Sequence, residues 1–266
     1  MTAIVSVATR NALVVSTDSC VTNSIGGRAE YREVDKLFPI AGVGVVAKWG
    51  EWTGPSFDHY LSRLRGRSSA PRSLDDLAML VMGFLMDDFR ADEEPCEDIG
   101  FHVAGFGPDG LPHLYHIFYG APRPSAGGAC QRYDLSDHSP TTPDSVSLLY
   151  NGSNDIAHQI VTRDIESGRV QRSDLDLPTG AANVAESVVL RVAASTQGVG
   201  PPFRTAIVLP GNEVVLQPTS RVSMSSRPRI VPDPFAPLFS PSGVNFVDAR
   251  LGSGTVTVLS PQWGRD

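Results

Sequence analysis

Residues 2–18 read TAIVSVATRNALVVSTD, and this stretch is the strongest indication of the fold. Two runs rich in β-forming residues, 3–8 and 13–16, flank a polar link at 9–11 that is typical of a turn. The sequence therefore predicts a β-hairpin at the start of the chain. A third apolar run, GVGVVA at 42–47, is short and bounded by glycines, as expected for a strand buried on both faces.

Helical and extended patterns follow in groups along the rest of the chain. We predict helices over about 56–64, from Ser73 onward, and over 155–167 and 181–196, with strands at 99–105, 113–118, 147–150, 205–209 and 213–216 and a surface loop at 122–144. Because the helices come in pairs, this order favours layered antiparallel sheets covered by helices over a doubly wound parallel sheet. We expect one domain over residues 1–217 and a Pro/Ser-rich C-terminal extension over 218–266, with a strand-like run at 255–259.

Composition excludes several classes of function. The 266 residues carry a formal charge of −7, which argues against a nucleic-acid-binding protein. Three cysteines without paired spacing predict neither a disulfide framework nor a metal site, and His113 and His116 should point to opposite faces of one strand. We expect no cofactor and no metal. The chain shows no signal-peptide pattern and no apolar run of membrane-spanning length, so the cytoplasm is the expected compartment.

The candidate nucleophile lies at the N-terminus. A threonine hydroxyl is a weak nucleophile and needs a base, and the free α-amino group of Thr2, with a pKa of about 7.7–8.0, would serve once Met1 is removed. Asp18 follows sixteen residues after Thr2, in VVSTDSCVT. Lys36 lies in DKLFPI, and Gly50 comes fourteen residues later, just past the GVGVVA run.

This order of motifs resembles the proteasome β-subunit and HslV family. Three further stretches resemble that family's central hairpin, the opening of its next helix and its closing hairpin: VAGFGPDGLPHLYHI at 103–117, NGSNDIA at 151–157 and AIVLPGNEV at 206–214. The similarity covers residues 2–217. The segment between Asp18 and Lys36 is about two residues longer than is usual in the family, and we place the insertion in a loop at 25–30.

The resemblance implies an α+β fold of the N-terminal nucleophile hydrolase type, a four-layer αββα sandwich of two antiparallel sheets flanked by helix pairs. It implies that Thr2 is the nucleophile, that the Lys36 ammonium favours its alkoxide, and that Asp18 holds Lys36 charged. The Gly50 N–H would stabilise the oxyanion. Either Asn151 or Ser153 takes the place of a supporting serine.

The implied activity is hydrolysis of peptide (amide) bonds through an acyl-enzyme on Thr2, with peptide or unfolded-protein substrates. The implied partners are further copies of the chain, in a homo-oligomeric ring, and an ATP-driven unfoldase. A catalytically silent structural or assembly subunit and a non-peptide amidase are the alternatives. The aspartate that the family carries after its last long helix is missing, with only Ser195 and Thr196 nearby. Trp49 and Trp52 flank Gly50 and either narrow a substrate pocket or pack.

Overall fold

The computed structural model describes most of the chain. The described residues are 2–25, 28–50, 57–64, 70–88, 99–124, 130–142, 144–152, 154–196, 198–217, 246–251 and 254–259.

The described residues form strands and five helices. The strands are β1 (Ala3–Ala8), β2 (Leu13–Asp18), β3 (Cys20–Ile25), β4 (Arg28–Glu33), β5 (Leu37–Ile40), β6 (Gly44–Gly50), β7 (Ile99–Phe106), β8 (Pro112–Pro124), β9 (Cys130–Asp137), β10 (Val146–Gly152), β11 (Phe203–Leu209), β12 (Glu213–Leu216), β13 (Phe246–Leu251) and β14 (Gly254–Leu259). The helices are α1 (Phe57–Leu64), α2 (Leu74–Asp88), α3 (Asn154–Glu166), α4 (Arg172–Leu175) and α5 (Pro178–Ser195).

Two large sheets organise these elements. The first has the order β12-β11-β2-β1-β10-β14-β13 and is antiparallel except where β14 runs parallel to β10. The second has the order β5-β6-β7-β8-β9 and is antiparallel throughout. A separate two-stranded ribbon joins β3 and β4. The fold is therefore α+β, as the grouping of elements in the sequence predicts.

Three clusters of buried apolar side chains hold the layers together. One cluster packs α3, α4 and α5 on the first sheet, and a second packs α1 and α2 on the second sheet. The third cluster joins strands of both sheets and includes Ile4, Val45 and Leu149. Removal of one large buried side chain such as Phe84, which is fully buried, would cost about 3–5 kcal/mol of stability.

The N-terminal hairpin is confirmed. β1 pairs antiparallel with β2, with Ile4 opposite Thr17, and the turn closes where the Ala12 N–H donates to Thr9 Oγ1 at 3.0 Å. Both faces of β1 are buried, because one face meets the helices and the other meets the second sheet. The hairpin is therefore a central element of the molecule.

The start of α2 also follows the sequence signal. Ser73 Oγ accepts a hydrogen bond from the Asp76 N–H at 3.1 Å, which satisfies one of the free donors of the first helical turn. The Asp76 carboxylate reaches back to the Arg72 N–H, also at 3.1 Å. Loss of the Ser73 hydroxyl would cost about 1 kcal/mol.

Two predicted loops are wrong. The segment 122–144 was expected to be a surface loop, but it contains the end of β8 and all of β9. The loop predicted at 25–30 overlaps paired strands, because Ile25 ends β3 and residues 28–30 lie in β4. β9 is the edge strand of its sheet, and Leu135 is 40% exposed, so the alternating burial that marks a strand in sequence is weak there. Within residues 218–266 the run at 255–259 is a strand, as expected, and β13 is an additional one, and both join the first sheet because β14 pairs with β10.

Candidate active site

The hairpin turns the sixteen-residue spacing between Thr2 and Asp18 into direct proximity. Thr2 lies immediately before β1, and Asp18 is the last residue of β2. Because the two strands are antiparallel neighbours, the Asp18 carboxylate reaches the start of β1, where the Ala3 N–H donates to its Oδ1 at 2.9 Å. Thr2 is 3% exposed and Asp18 is fully buried. The nucleophile candidate and the carboxylate thus share one interior pocket.

Lys36 completes this group from the second sheet. It directly precedes β5, and its side chain is 3% exposed. Its Nζ donates to Thr2 Oγ1 at 3.1 Å, to Asp18 Oδ1 at 2.9 Å and Oδ2 at 3.0 Å, and to the Cys20 carbonyl at 2.6 Å. The structure therefore brings together three of the residues that the sequence singles out.

Backbone groups fix the orientation of the Asp18 carboxylate. Its Oδ2 accepts hydrogen bonds from the Cys20 N–H at 3.1 Å and the Gly200 N–H at 3.4 Å, in addition to the Ala3 contact on Oδ1. Burial raises the pKa of Asp18, while the Lys36 charge and these N–H donors pull the pKa back down. The donors and the countercharge stabilise the ionised form that a salt bridge requires.

Burial lowers the pKa of Lys36 from its ordinary value, because the ammonium loses its water, and the Asp18 charge and hydrogen bonds oppose this. A charged amine beside the Thr2 hydroxyl favours the alkoxide. In chemical terms, the group can therefore polarise a hydroxyl in a dry, preorganised setting.

Gly50 lies at the end of β6, opposite Ile99, with φ of +90°. Its strand is tied to the Lys36 segment, because the Lys48 N–H donates to the Lys36 carbonyl at 2.8 Å. The positive φ is readily adopted only by glycine, so the chain direction at Gly50 depends on the missing side chain. The strand that ends at Gly50 is therefore hydrogen-bonded directly to the segment that carries Lys36.

The structure describes only one of the two candidates for the place of the supporting serine. Ser153 lies outside the described residues. Asn151 is 1% exposed, and its Oδ1 contacts His102 Nε2 at 2.6 Å, between the two sheets. The adjacent Gly152 lies opposite Ala3, and a Cβ at this position would come within 1.7 Å of the Thr2 carbonyl oxygen. A glycine is needed there because β10 passes so close to Thr2.

Of the two tryptophans that flank Gly50, the structure describes Trp49. Trp49 is 5% exposed and stacks on His116 and Phe118, with ring centroids 5.8 and 5.7 Å apart, so it packs in the interior. Trp52 lies outside the described residues. Near the end of α5, Ser195 is exposed, whereas Thr196 is buried and its Oγ1 has no hydrogen-bond partner among the residues that the structure describes.

Sequence reasoning missed Lys48 as part of this region. Burial and, to a smaller extent, the nearby Lys36 charge lower the pKa of Lys48 to about 8. The available signal was a lysine in an otherwise apolar strand, two residues before Gly50. It also missed Gly200, because the approach of the segment after α5 to Asp18 depends on the pairing of β11 with β2.

No family model matches the sequence, and no curated protein matches it either. Solved structures do match. Anbu from Pseudomonas aeruginosa, described as a helical assembly, is 19% identical, with 83% of this chain and 88% of that chain covered and a TM-score of 0.57. A Gly-1 mutant of Anbu from Hyphomicrobium sp. strain MC1 is 16% identical, with 85% and 89% covered and a TM-score of 0.60.

A further structure, Anbu (ancestral beta-subunit) from Yersinia bercovieri, is 16% identical, with 77% and 80% covered and a TM-score of 0.51. This chain therefore shares the fold of the Anbu proteins. The assignment to the proteasome β-subunit and HslV family is wrong: no family model supports it, and the similar structures are Anbu proteins at low identity. No helix among the described residues has the length and apolar character to cross a membrane.

Proposed function

We propose that the chain is a threonine hydrolase that cleaves peptide (amide) bonds through an ester on Thr2, once Met1 has been removed. One observation carries the proposal: the Lys36 Nζ, clamped by both oxygens of Asp18, donates to Thr2 Oγ1 at 3.1 Å. The Lys36 ammonium does not need the Thr2 hydroxyl for its own stability, because the two Asp18 oxygens and the Cys20 carbonyl already accept its hydrogen bonds.

The proposed reaction begins at the Thr2 hydroxyl. Oγ1 attacks the amide carbonyl carbon, and its proton passes to the free α-amino group of Thr2. The carbonyl oxygen becomes an oxyanion, for which the Gly50 N–H is the proposed donor. The C–N bond then breaks, and the leaving amine takes the proton from the α-amino group. Water hydrolyses the Thr2 ester, which releases the carboxylic acid and restores the hydroxyl.

In this scheme each charged residue has one role. The Lys36 ammonium stabilises the developing alkoxide and lowers the pKa of the terminal amine, so that the amine can act as the base. Asp18 keeps Lys36 charged and oriented. Ser153 remains the candidate for a supporting serine, while the contact of Asn151 with His102 favours a different role for that residue.

The test is covalent labelling by a peptide vinyl sulfone. Oγ1 adds to the vinyl carbon and the hydroxyl proton moves to the neighbouring carbon, so the intact mass rises by the whole mass of the probe. We expect a single adduct on Thr2 in protein that begins at Thr2, and no adduct in Thr2→Ala. Mature protein that retains Met1, or equal labelling of both proteins, would refute the proposal.

A catalytically silent subunit is the second candidate. Two observations favour it. Thr2 is only 3% exposed, which restricts the access of a substrate to its hydroxyl. The buried Thr196 Oγ1 has no hydrogen-bond partner among the described residues, so it is not seen to bond a group that sets the protonation of the Thr2 amine. A silent subunit would be correctly processed and folded but unlabelled. If labelling occurs, profiling of peptides against small amides separates a peptidase from a non-peptide amidase.

Architecture and assembly belong to the same proposal. The buried clusters between the sheets and beneath each helix group support a four-layer αββα sandwich built mainly by residues 1–217, with β13 and β14 added to its first sheet. The Anbu structure from Pseudomonas aeruginosa is a helical assembly, which supports homo-oligomerisation here, as a ring or an open helix. Electron microscopy of the purified protein distinguishes these forms. An ATP-driven unfoldase partner and a cytoplasmic location remain predictions.

A further inference from the structure

A hydrogen-bonded polar chain crosses the apolar layer between the two sheets. Ser6 Oγ lies 2.8 Å from His102 Nδ1, and His102 Nε2 lies 2.6 Å from Asn151 Oδ1. Ser6 and His102 are fully buried, and Asn151 is 1% exposed. Ser6 shares its strand face with Ile4, and Asn151 shares its face with Leu149, both of which belong to the apolar cluster between the sheets.

The hydrogen bonds define the protonation of the imidazole. Asn151 Oδ1 is an acceptor only, so His102 Nε2 carries the hydrogen, and Nδ1 accepts from the Ser6 hydroxyl. Burial lowers the pKa of His102 to about 3, with the nearby His138 acting in the same direction, so the ring is neutral at ordinary pH. Both nitrogens of a neutral ring are therefore used, which fixes its orientation.

The polar chain connects the two halves of the candidate active site. Ser6 belongs to β1, the strand that directly follows Thr2, and Asn151 immediately precedes Gly152, which packs against the Thr2 carbonyl. His102 belongs to β7 of the other sheet, paired with Ala47, three residues before Gly50. One imidazole thus links both strands around the nucleophile to the sheet that carries the proposed oxyanion donor.

Asn151 is hydrogen-bonded at only one end of its amide group in the described part of the chain. Its Oδ1 accepts from His102, whereas its Nδ2 is buried and has no partner there. The unpaired Nδ2 destabilises the protein, but an apolar residue at this position would leave the buried His102 Nε2–H unpaired instead. The main effect of Asn151 is therefore to hold the His102 ring in one orientation.

We propose that His102 is a positioning residue, whose bonds to Ser6 and Asn151 set the separation of Thr2 from Gly50. This inference rests on the proposed function, because it assigns Thr2 and Gly50 to the reaction. The nucleophile and the oxyanion donor come from opposite sheets, so a slip between the sheets changes their distance directly. A misplacement of about 1 Å lowers the rate of an enzymatic step by about 100-fold.

The test compares four variants in the labelling reaction with the peptide vinyl sulfone. His102→Phe removes both bonds, Ser6→Ala removes one with little change in volume, and His102→Gln keeps one donor and one acceptor. Tyr150→Phe is the matched control, because it removes a part-buried bond to His158 Nδ1 at 2.5 Å from the opposite face of the same strand, β10.

We expect the maximal labelling rate of His102→Phe to fall by about 100-fold, with the probe concentration for half-maximal rate unchanged, and that of Ser6→Ala to fall by about tenfold. His102→Gln should recover most of the rate, and Tyr150→Phe should retain it. A purely structural role would lower the thermal midpoint of all the variants and leave the rate of the folded protein unchanged. Wild-type rates in Ser6→Ala and His102→Phe would overturn the proposal while the proposed function stands.

A crystal structure of Ser6→Ala or His102→Phe tests the same point without any reaction. We expect the distance between the Cα atoms of Thr2 and Gly50 to change measurably, by up to about 1 Å. An unchanged separation would overturn the proposal. If the wild-type protein takes up no probe, the proposed function fails, and this separation alone decides whether His102 positions the two strands.

Discussion

Acid should destabilise this protein through the buried His102, and the size of the effect can be worked out. Burial lowers the pKa of His102 from 6.5 to about 3. Because its pKa in the folded state lies below that in the unfolded state, its contribution to stability is complete above pH 6.5 and is lost as pH falls towards 3. Between pH 7 and pH 4.5 the unfolded chain binds one more proton than the native chain at this site, which lowers the free energy of unfolding by about 2.5 kcal/mol.

The assay is urea unfolding at fixed protein concentration, at several pH values from 7 to 4.5, for wild type and His102→Gln. Glutamine does not titrate, so the slope of the free energy of unfolding against pH should be smaller in the variant by about 1.3 kcal/mol per unit near pH 5. His116, whose ring centroid lies 5.6 Å from that of His102, and His138 also face this region. Because His102 is neutral in the native state between pH 7 and pH 4.5, its replacement adds or removes no charge beside them, and their contributions to the two slopes should be similar. Parallel slopes would contradict the prediction, because they would mean that His102 binds its proton in the native state.

Three further substitutions test the site. Lys36→Ala should abolish labelling and lower the free energy of unfolding by about 3–5 kcal/mol, because the Asp18 carboxylate is left buried without a countercharge; retained labelling would contradict its role. Asp18→Asn should also abolish labelling in protein that is still folded by circular dichroism, because burial then drives Lys36 towards its neutral form. Gly152→Ala should lower the thermal midpoint well below that of Gly211→Ala, which has a similar positive φ but open space around its Cβ, because only the former clashes with the Thr2 carbonyl; equal midpoints would show that the strands separate freely.

The local part of the candidate site was predictable because a hairpin converts sequence spacing into distance. Two short β-rich runs joined by a polar link predicted antiparallel β1 and β2, and with them the proximity of Thr2 and Asp18. Lys36 could be added only through the resemblance to a known family. The family assignment itself was wrong, since no family model matches and the similar solved structures are Anbu proteins at 16–19% identity.

The part that crosses between the sheets was not predictable. The bond from His102 to Asn151 joins residues 49 positions apart, and the bond from Ser6 to His102 joins residues 96 apart. Such contacts depend on how one sheet lies over the other, and single-sequence patterns carry no information about that. A histidine in an apolar run also has a simpler interpretation as a residue of the core. The missed strand β9 has a related cause, because an edge strand faces solvent and lacks a strong apolar pattern.

The charge of Lys36 decides which group acts as the base in the proposed reaction. An ammonium has three hydrogens, and acceptors surround Nζ: both Asp18 oxygens, the Cys20 carbonyl at 2.6 Å and the Thr2 hydroxyl. This arrangement stabilises the charged form against the loss of water. A charged Lys36 cannot accept the hydroxyl proton, so that proton has to go to the α-amino group of Thr2. Burial first, and the Lys36 charge second, lower the pKa of Lys48 to about 8, so the Lys36 charge acts against a second charged amine in this region. In the proposed reaction the same charge favours the unprotonated form of the terminal amine, which is the form that a base requires.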